Sequence, residues 1–160
     1  MSAVDTAPNA VETTYISLMT RDHKVLKITS KAARQSGTLR TLTDDLGFEP
    51  GAMTTTDDIP VLKFDESTLK KVIEWCEHHK EDEETSGAVQ RNPQMNSIVI
   101  PTWDSDFLKV NNGELFDLIT AACFFDIEKL LDYACKTVAD QARDKSPAEL
   151  RAFFCINEQD

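Results

Sequence analysis

Cys76 and His79 are the two residues of this sequence that come closest to a metal site. They stand three positions apart in a predicted helix, so a thiolate and an imidazole would share one helical face and could supply half of a zinc site. Structural zinc takes four ligands, and no second Cys or His pair stands at ligand spacing elsewhere in the sequence. We therefore predict no metal site, and we interpret the two residues as a buried thiol beside a partly exposed histidine.

Two pairs of carboxylates have the spacing of an acid–base site: Asp57 with Asp58, and Asp104 with Asp106. The first pair falls in a predicted turn. Asp104 falls in the first turn of a predicted helix, where an acid interacts favourably with the helix dipole. Capping and solvation are therefore the expected roles of these acids. Because the sequence also lacks a glycine-rich phosphate loop and a nucleophile elbow, we predict that the protein is not an enzyme and binds no cofactor.

The charge of the chain restricts its partners. Its 160 residues, a length that fits one domain, include 17 Lys and Arg against 28 Asp and Glu, which gives a formal net charge of −11. Such a surface repels phosphate backbones and anionic lipids, so we predict no nucleic-acid and no membrane partner. The sequence starts without the basic and apolar regions of a signal peptide. We expect a soluble protein of the cytoplasm and nucleus.

The four cysteines support that localisation. They have no CxxC spacing, and each lies in or beside an apolar helical stripe. This pattern predicts buried thiols that stay reduced in a reducing compartment. The four positions are Cys76, Cys123, Cys135 and Cys155.

The elements that would position these side chains are short in the first half of the chain. Residues up to about 14 are polar and small and are predicted to be disordered. β-Branched and apolar runs predict three strands, the first two joined as a hairpin, at residues 15–20, 25–28 and 59–64. Helices are predicted at residues 30–35, 38–46 and 67–79, with Ser30 capping the first and Gly37 breaking it. The third carries a predicted core stripe of Leu69, Val72, Ile73 and Cys76.

An acidic flexible insert is predicted at about 80–97, and the second half of the chain is predicted to be helical. Residues 98–100 are either a short strand or an apolar return to the core. Further helices are predicted at residues 103–110, 114–125 and 127–141. A last helix starts at Ser146, where the order Ser-Pro-Ala-Glu gives a complete capping box.

The helix at 114–125 carries more apolar surface than one core contact requires. Its core stripe contains Leu115, Leu118, Ile119, Ala122 and Phe125, and beside it runs a second stripe of Phe116, Thr120, Cys123 and Phe124. The last helix adds Leu150, Phe153, Phe154 and Ile156, with no later segment to enclose them. Burying one Leu or Phe side chain is worth roughly 1.5–3 kcal/mol. The apolar residues of the last helix are therefore predicted to contact a partner. Core and partner roles both stay open for Phe116 and Phe124.

Four segments carry a family resemblance. They are VIEWCEHHK at 72–80, WDSDFLKV at 103–110, GELFDLI at 113–119, and DIEKLLD with CKTVA within 126–139. Together they resemble the SCF ubiquitin-ligase adaptor family, the S-phase-kinase-associated proteins. The resemblance runs from about Tyr15 to Ile156, and the motifs are specific in combination.

This resemblance implies an α/β fold of the BTB/POZ type, a small three-stranded sheet packed with helices and followed by C-terminal helices. The expected organisation is a disordered N-terminus at 1–14, a BTB/POZ-like domain at 15–141 that contains the acidic insert, and a C-terminal F-box-facing helix at 142–160. The implied function is that of an adaptor, which bridges a cullin N-terminal domain to F-box substrate receptors. Such an adaptor does no chemistry and raises the local concentration of substrate near the ubiquitin-charged enzyme.

The resemblance also assigns the two apolar surpluses to different partners. The second stripe of the 114–125 helix would face the cullin through Phe116, Cys123 and Phe124. The F-box would contact the small-residue side of the 127–141 helix together with the last helix. The residues implied there are Cys135, Val138, Ala139, Ala142, Pro147, Leu150, Phe154 and Ile156.

The sequence departs from the family at several of these positions. Cys123 and Phe124 replace the usual Asn-Tyr, Ala142 replaces an Ile, and Asp144 replaces a Gly. The family continues past Ile156 into an acidic helix ending in Trp-Cys, so the F-box site is expected to lack that lid. The alternative function is a non-ligase structural scaffold or a self-associating BTB paralogue, and a homodimer is compatible with either.

Overall fold

A computed structural model of the protein describes residues 13–45, 58–82 and 98–155. Most of the predicted disordered N-terminus, most of the predicted acidic insert, Asp57 and Ile156 lie outside these ranges. Within the three ranges, no helix has the length and apolar character that crossing a membrane requires.

The three strands form one mixed sheet. Strand β1 (Tyr15–Thr20) pairs antiparallel with β2 (Val25–Thr29) and parallel with β3 (Ile59–Val61), so β1 lies in the middle. Alternate residues of β1 are buried, as expected for a strand with one face on a core. The predicted hairpin and the three-stranded sheet are confirmed.

Strand β3 ends earlier than the predicted 59–64. The chain turns directly after Val61, and the Phe64 N–H donates a hydrogen bond back to the Val61 carbonyl. This turn leaves Leu62 and Lys63 exposed and points Phe64 into the core. The turn thereby sets up one of the surfaces described below.

Two short helices follow the hairpin, α1 (Ser30–Ala33) and α2 (Gly37–Asp45). The cap of α1 is Thr29 and not the predicted Ser30, because the Thr29 Oγ1 accepts the Ala32 N–H. As predicted, the first helix ends before Gly37. Gly37 is itself the first residue of α2.

Helix α3 (Glu66–His78) lies across the sheet and begins at Asp65, whose carboxylate accepts the Thr68 N–H. It buries the predicted residues Leu69, Val72 and Cys76, whereas Ile73 is half-buried. Trp75, which the predicted stripe omitted, is also fully buried.

The described residues after α3 are mainly helical, as predicted. The helices are α4 (Thr102–Phe107), α5 (Asn112–Phe124), α6 (Glu128–Ala142) and α7 (Pro147–Phe153). Residues 98–100 form no strand. The capping box at Ser146 is confirmed, because its Oγ accepts the Glu149 N–H while the Glu149 carboxylate accepts the Ser146 N–H.

The prediction of four buried thiols was wrong for three of them. Cys76 is fully buried in the core, and burial raises the pKa of its thiol to about 12. Cys123, Cys135 and Cys155 are exposed, because each lies at the flank of its apolar stripe on the side away from the core. All four cysteines are free.

Candidate functional site

The second apolar stripe of α5 does not form one surface. Phe124, at the C-terminal end of α5, has its ring centroid 5.3 Å from that of Phe64 and remains 42% exposed. Phe116, two turns earlier, has its ring centroid 5.9 Å from Phe153 and 5.8 Å from Phe154. The two aromatic residues of the stripe therefore contribute to different surfaces at the two ends of α5.

Residues 36–38 fix the C-terminal end of α5. The last carbonyls of a helix have no partner within the helix. Here the Thr38 Oγ1 donates to the Phe124 carbonyl at 2.9 Å, and the Thr38 N–H donates to the Phe125 carbonyl at 3.2 Å. The Ser36 hydroxyl also donates to the Phe125 carbonyl. The backbone beneath the exposed Phe124 ring is therefore held by the start of α2.

Gly37 takes part in this contact. Its N–H donates to the Asp126 carbonyl at 3.0 Å, and Asp126 has a left-handed backbone with φ 53°. A Cβ at position 37 would lie 2.1 Å from the Asp126 Oδ2, so a larger residue would require the Asp126 side chain to move. The sequence indicated a helix break at Gly37 and contained no local signal for its contact with α5.

We call the exposed end of α5 the Phe124 surface and define it as Lys63, Phe64, Cys123 and Phe124. The Lys63 Nζ lies 5.8 Å from the Phe124 ring centroid and 5.9 Å from that of Phe64, within cation–π range. Phe64 is buried behind the exposed ring. Sequence patterns gave no indication of Lys63 and Phe64, because only the turn after β3 brings them to α5.

An open pocket of about 170 Å³ adjoins the Phe124 surface. Charged residues line its walls, and the carboxylate of Asp65 is already engaged by the start of α3. Hydrogen bonds from the Thr68 backbone and the Ser67 hydroxyl hold the pKa of Asp65 below its usual range. The lining residues are Arg21, Lys63, Phe64, Asp65, Thr68, Asp117 and Thr120.

The second surface is formed by α6 and α7, and we call it the α6–α7 surface. Its members are exposed or half-buried residues that the sequence assigned to one partner. They are Cys135, Val138, Ala139, Ala142, Pro147, Leu150 and Phe154. Val138 also packs against the core. Ile156, predicted to join them, lies outside the described residues.

The apolar residues of α7 are partly covered by α5, whereas the sequence predicted that they contact a partner. Phe153 is buried, with its ring against Phe116 and the Lys145 Nζ 5.4 Å from its centroid. Phe154 remains 41% exposed. The contact with Phe116 was missed because sequence periodicity cannot show which helix covers which.

A third group of side chains, the His79 cluster, lies between α3 and α4, and all of its members except the exposed Asp82 are buried. We define it as Trp75, His79, Asp82 and Asp104. The Trp75 Nε1 donates to the Asp104 Oδ1 at 2.8 Å, and the His79 Nε2 lies 2.9 Å from the same oxygen. The His79 Nδ1 lies 2.7 Å from the Asp82 Oδ2. The cluster joins the end of α3 to the start of α4.

The His79 cluster corrects two predictions. Asp104 is 1% exposed and is not a solvated helix cap, and His79 is buried and not partly exposed. The pKa of Tyr133 on α6 is raised, first by burial and then by the nearby carboxylates of Asp104 and Asp82. The cluster therefore also affects a residue on a third helix. A buried indole N–H needs an acceptor, so Trp75 could have indicated from the sequence that a buried acceptor such as Asp104 lies nearby.

Comparison with known proteins identifies the family. Residues 14–81 match a model described as the Skp1 family, tetramerisation domain, and residues 128–160 match the Skp1 family, dimerisation domain. A Skp1-related protein of Caenorhabditis elegans is 41% identical over 141 residues, which cover 88% of this chain and 80% of that protein. The chain belongs to the Skp1 family.

Two fungal relatives support the same family. The E3 ubiquitin ligase complex SCF subunit sconC of Talaromyces stipitatus is 38% identical over 141 residues, covering 88% of this chain and 84% of the relative. The protein of the same name from Arthroderma otae is 38% identical over 147 residues, covering 92% and 86%. The POZ-type α/β fold predicted from the sequence is confirmed for this Skp1-family chain.

The two Skp1-family matches cover different parts of these surfaces, and neither contains Cys123, Phe124 or Asp104. The first match contains Lys63, Phe64 and His79, and the second contains all described residues of the α6–α7 surface. Helix α5 lies between the two matched regions. It contributes Phe124 to the Phe124 surface and Phe116 to the contact with α7.

Proposed function

We propose that this Skp1-family protein is an adaptor subunit of an SCF-type E3 ubiquitin ligase, and that it bridges a cullin N-terminal domain to F-box substrate receptors. The observation that carries this proposal is the pair of exposed apolar surfaces at the two ends of α5. An adaptor needs two docking surfaces that partners can occupy at the same time. The relatives named as SCF subunits support the assignment of those partners.

The cullin would dock on the Phe124 surface. An exposed aromatic ring on a rigidly held backbone is the usual form of an interface anchor, because little conformational freedom is lost on binding. Phe124 has both properties, since its ring is 42% exposed and its carbonyl is held by Thr38. Cys123 lies beside it, with an exposed thiol where an amide is usual in the family.

The F-box would dock on the α6–α7 surface. Cys135 and Ala139 are small and exposed, so a partner helix could approach the α6 backbone closely. Phe154 and Leu150 would supply larger apolar contacts from α7. Phe116, grouped with Phe124 in the sequence, contacts α7 through its ring and so supports this second surface from beneath.

The proposed role requires no chemical step in this chain. Holding a receptor and a cullin on one rigid body converts a bimolecular encounter between substrate and ubiquitin-charged enzyme into a local one. We further propose that the protein acts in the cytoplasm and nucleus, where its free thiols would stay reduced.

Calorimetric titration into a purified cullin N-terminal domain tests the cullin assignment. We expect Phe124→Asp to weaken binding about 30-fold or more, the loss typical of an interface anchor, while the far-UV circular dichroism stays unchanged. Phe154→Asp is the matched control, because it changes an equally exposed ring on the other surface. It should leave cullin affinity unchanged and weaken binding of an F-box peptide. Wild-type affinity in the Phe124→Asp variant would remove the cullin from this surface.

A self-associating scaffold is the second candidate, favoured by the two matched models whose descriptions name dimerisation and tetramerisation. Sedimentation equilibrium of the full chain distinguishes the two functions when it is repeated with an F-box peptide. A homodimer that the peptide dissociates would fit an adaptor whose free form self-associates. A homodimer that binds neither the peptide nor the cullin domain would favour the scaffold.

A further inference from the structure

The side chain of Lys63 has an unusual position for a cation in a chain of net charge −11. Its ammonium group lies against the rings of Phe64 and Phe124 at the edge of the Phe124 surface. Within residues 13–45, 58–82 and 98–155, no carboxylate lies within ion-pair distance of it. The cation–π contacts hold Lys63 in place, but they do not neutralise its charge.

The pocket of about 170 Å³ beside Lys63 contains a second cation, Arg21. The Arg21 Nη2 lies 3.7 Å from the Asp65 Oδ2, but Asp65 already accepts hydrogen bonds from Thr68 and Ser67. The remaining acid of the lining is Asp117 on α5. Arg21 and Asp65 therefore face each other as an ion pair, and Lys63 and Asp117 are the two charged groups of the lining that form no ion pair within the described residues.

We propose that this pocket receives a carboxylate side chain of the protein that docks on the Phe124 surface, adjacent in that partner to an apolar residue that covers the Phe124 ring. The inference rests on the proposed function, in which that partner is a cullin N-terminal domain. Lys63 would form the ion pair, with the Arg21–Asp65 pair beside it, and the size of the pocket suits one Asp or Glu side chain. Lys63 would thereby determine which partners can dock.

Charge complementarity favours an acidic group over a basic one. An incoming Lys or Arg would meet the Lys63 ammonium at the rings, where the π faces are already occupied by a cation. An incoming carboxylate would meet the Lys63 ammonium, which has no carboxylate partner within the described residues, and covering the surface would exclude water and strengthen the attraction. Charges at the rim of an interface mainly change the association rate and its dependence on salt.

The test is calorimetric titration of the full chain into a cullin N-terminal domain at low and at high salt. We expect Lys63→Gln to weaken binding about tenfold and to reduce the salt dependence. Asp117→Asn, which removes the opposing acid, should strengthen binding about threefold. Lys27→Gln is the matched control, because Lys27 is an exposed lysine of β2, on the opposite edge of the sheet from β3. It should change the affinity less than twofold.

The two substitutions make the outcomes separable. Opposite effects of Lys63→Gln and Asp117→Asn, with the Lys27 control unchanged, support an acidic group in the pocket. Wild-type binding that neither substitution changes would overturn this inference and leave the adaptor function standing. Stronger binding by Lys63→Gln would also overturn it, in favour of a basic group. Absence of binding by the wild-type chain would overturn the adaptor function and this inference with it.

Discussion

The His79 cluster and the Phe124 surface are built from the same kinds of residue, aromatic rings beside charged groups, but they differ in exposure. In the cluster, Asp104 is 1% exposed and receives a hydrogen bond from Trp75. At the surface, the ring of Phe124 is 42% exposed and Lys63 extends into solvent. Burial decides what each group does: the cluster holds two helices together, and the surface is available to a partner.

This difference has an energetic consequence. A buried polar network is costly to disrupt, because each group that loses its partner stays desolvated. Truncating a ring that is already 42% exposed costs less, since water covers part of it and no buried polar group loses a partner. Substitutions in the cluster should therefore change the free energy of unfolding, whereas substitutions at the surface should change binding.

The largest expected effect comes from Asp104→Ala. It would leave the Trp75 indole N–H without its acceptor and His79 without one of its two carboxylates. Removing one partner of a buried charged network typically lowers the free energy of unfolding by about 3–5 kcal/mol. Urea denaturation followed by circular dichroism measures this loss.

Asp104→Asn is the conservative control for that experiment. It keeps an oxygen acceptor for Trp75 and places an amide at Oδ2, an atom that has no hydrogen-bond partner among the described residues. The loss should be smaller than for Asp104→Ala. Phe124→Asp should lower the free energy of unfolding by only about 1–2 kcal/mol, the worth of its ring contacts with Phe64 and Phe125. Equal stability losses for Asp104→Ala and Phe124→Asp would contradict the contrast between the two regions.

A smaller effect is expected at the other end of α5. Phe116→Leu keeps an apolar side chain but removes the ring pair with Phe153, which is worth about 0.5–1.5 kcal/mol. Since Phe153 is the buried residue of the seven-residue α7, we expect this loss as local opening of α7. Hydrogen exchange should show faster exchange of the α7 amides and little change in α3.

Phe124→Leu is the matched control, because it removes a ring from the same helix at its other end. It should leave exchange in α7 unchanged. Faster exchange in α7 in both variants would mean that the two ends of α5 are coupled and that its aromatic stripe acts as one unit.

Local signals explain which parts of the structure could be predicted. The β1–β2 hairpin, the core stripe of α3 and the capping box at Ser146 depend on residues close in sequence, and each was predicted. Contacts between distant elements could not be predicted in the same way. The pairing of Phe116 with Phe153 and of Trp75 with Asp104 depends on how helices cross, which no periodicity specifies.

The same limit applies to burial at the flank of a stripe. Cys123 and Cys135 stand beside apolar positions, and a small rotation of the helix decides whether such a residue is covered. Family resemblance supplied what periodicity could not, since it assigned the two ends of the helical half to two different partners. Lys63 and Phe64 lie outside the four segments that carry the resemblance, and only the folded turn after β3 brings them to Phe124.

The smallest expected effect concerns Glu77, which connects α3 to the start of α1. Its carboxylate accepts the Thr29 N–H at 2.8 Å and the Thr29 hydroxyl at 3.0 Å. Burial raises the pKa of Glu77, but the hydrogen bonds from Thr29 and the contact with Lys80 outweigh it, so the pKa lies below the usual 4.5. A carboxyl whose pKa falls on folding stabilises the native state above its unfolded pKa, and the contribution is lost as the pH falls through the folded value.

Glu77→Gln should therefore cost about 1 kcal/mol near neutral pH, and the difference from wild type should shrink below about pH 4, where the unfolded carboxyl becomes protonated. Glu74→Gln, at an exposed position of the same helix, is the control and should show no such trend. If the difference in stability between Glu77→Gln and wild type stays constant with pH, the contact depends on the shape of the side chain and not on its charge. Thr29 also caps α1, and Thr38, in the chain after α1, donates a hydrogen bond to the Phe124 carbonyl. Loss of the Glu77 contact at low pH would therefore loosen the backbone that supports the Phe124 ring before the core unfolds.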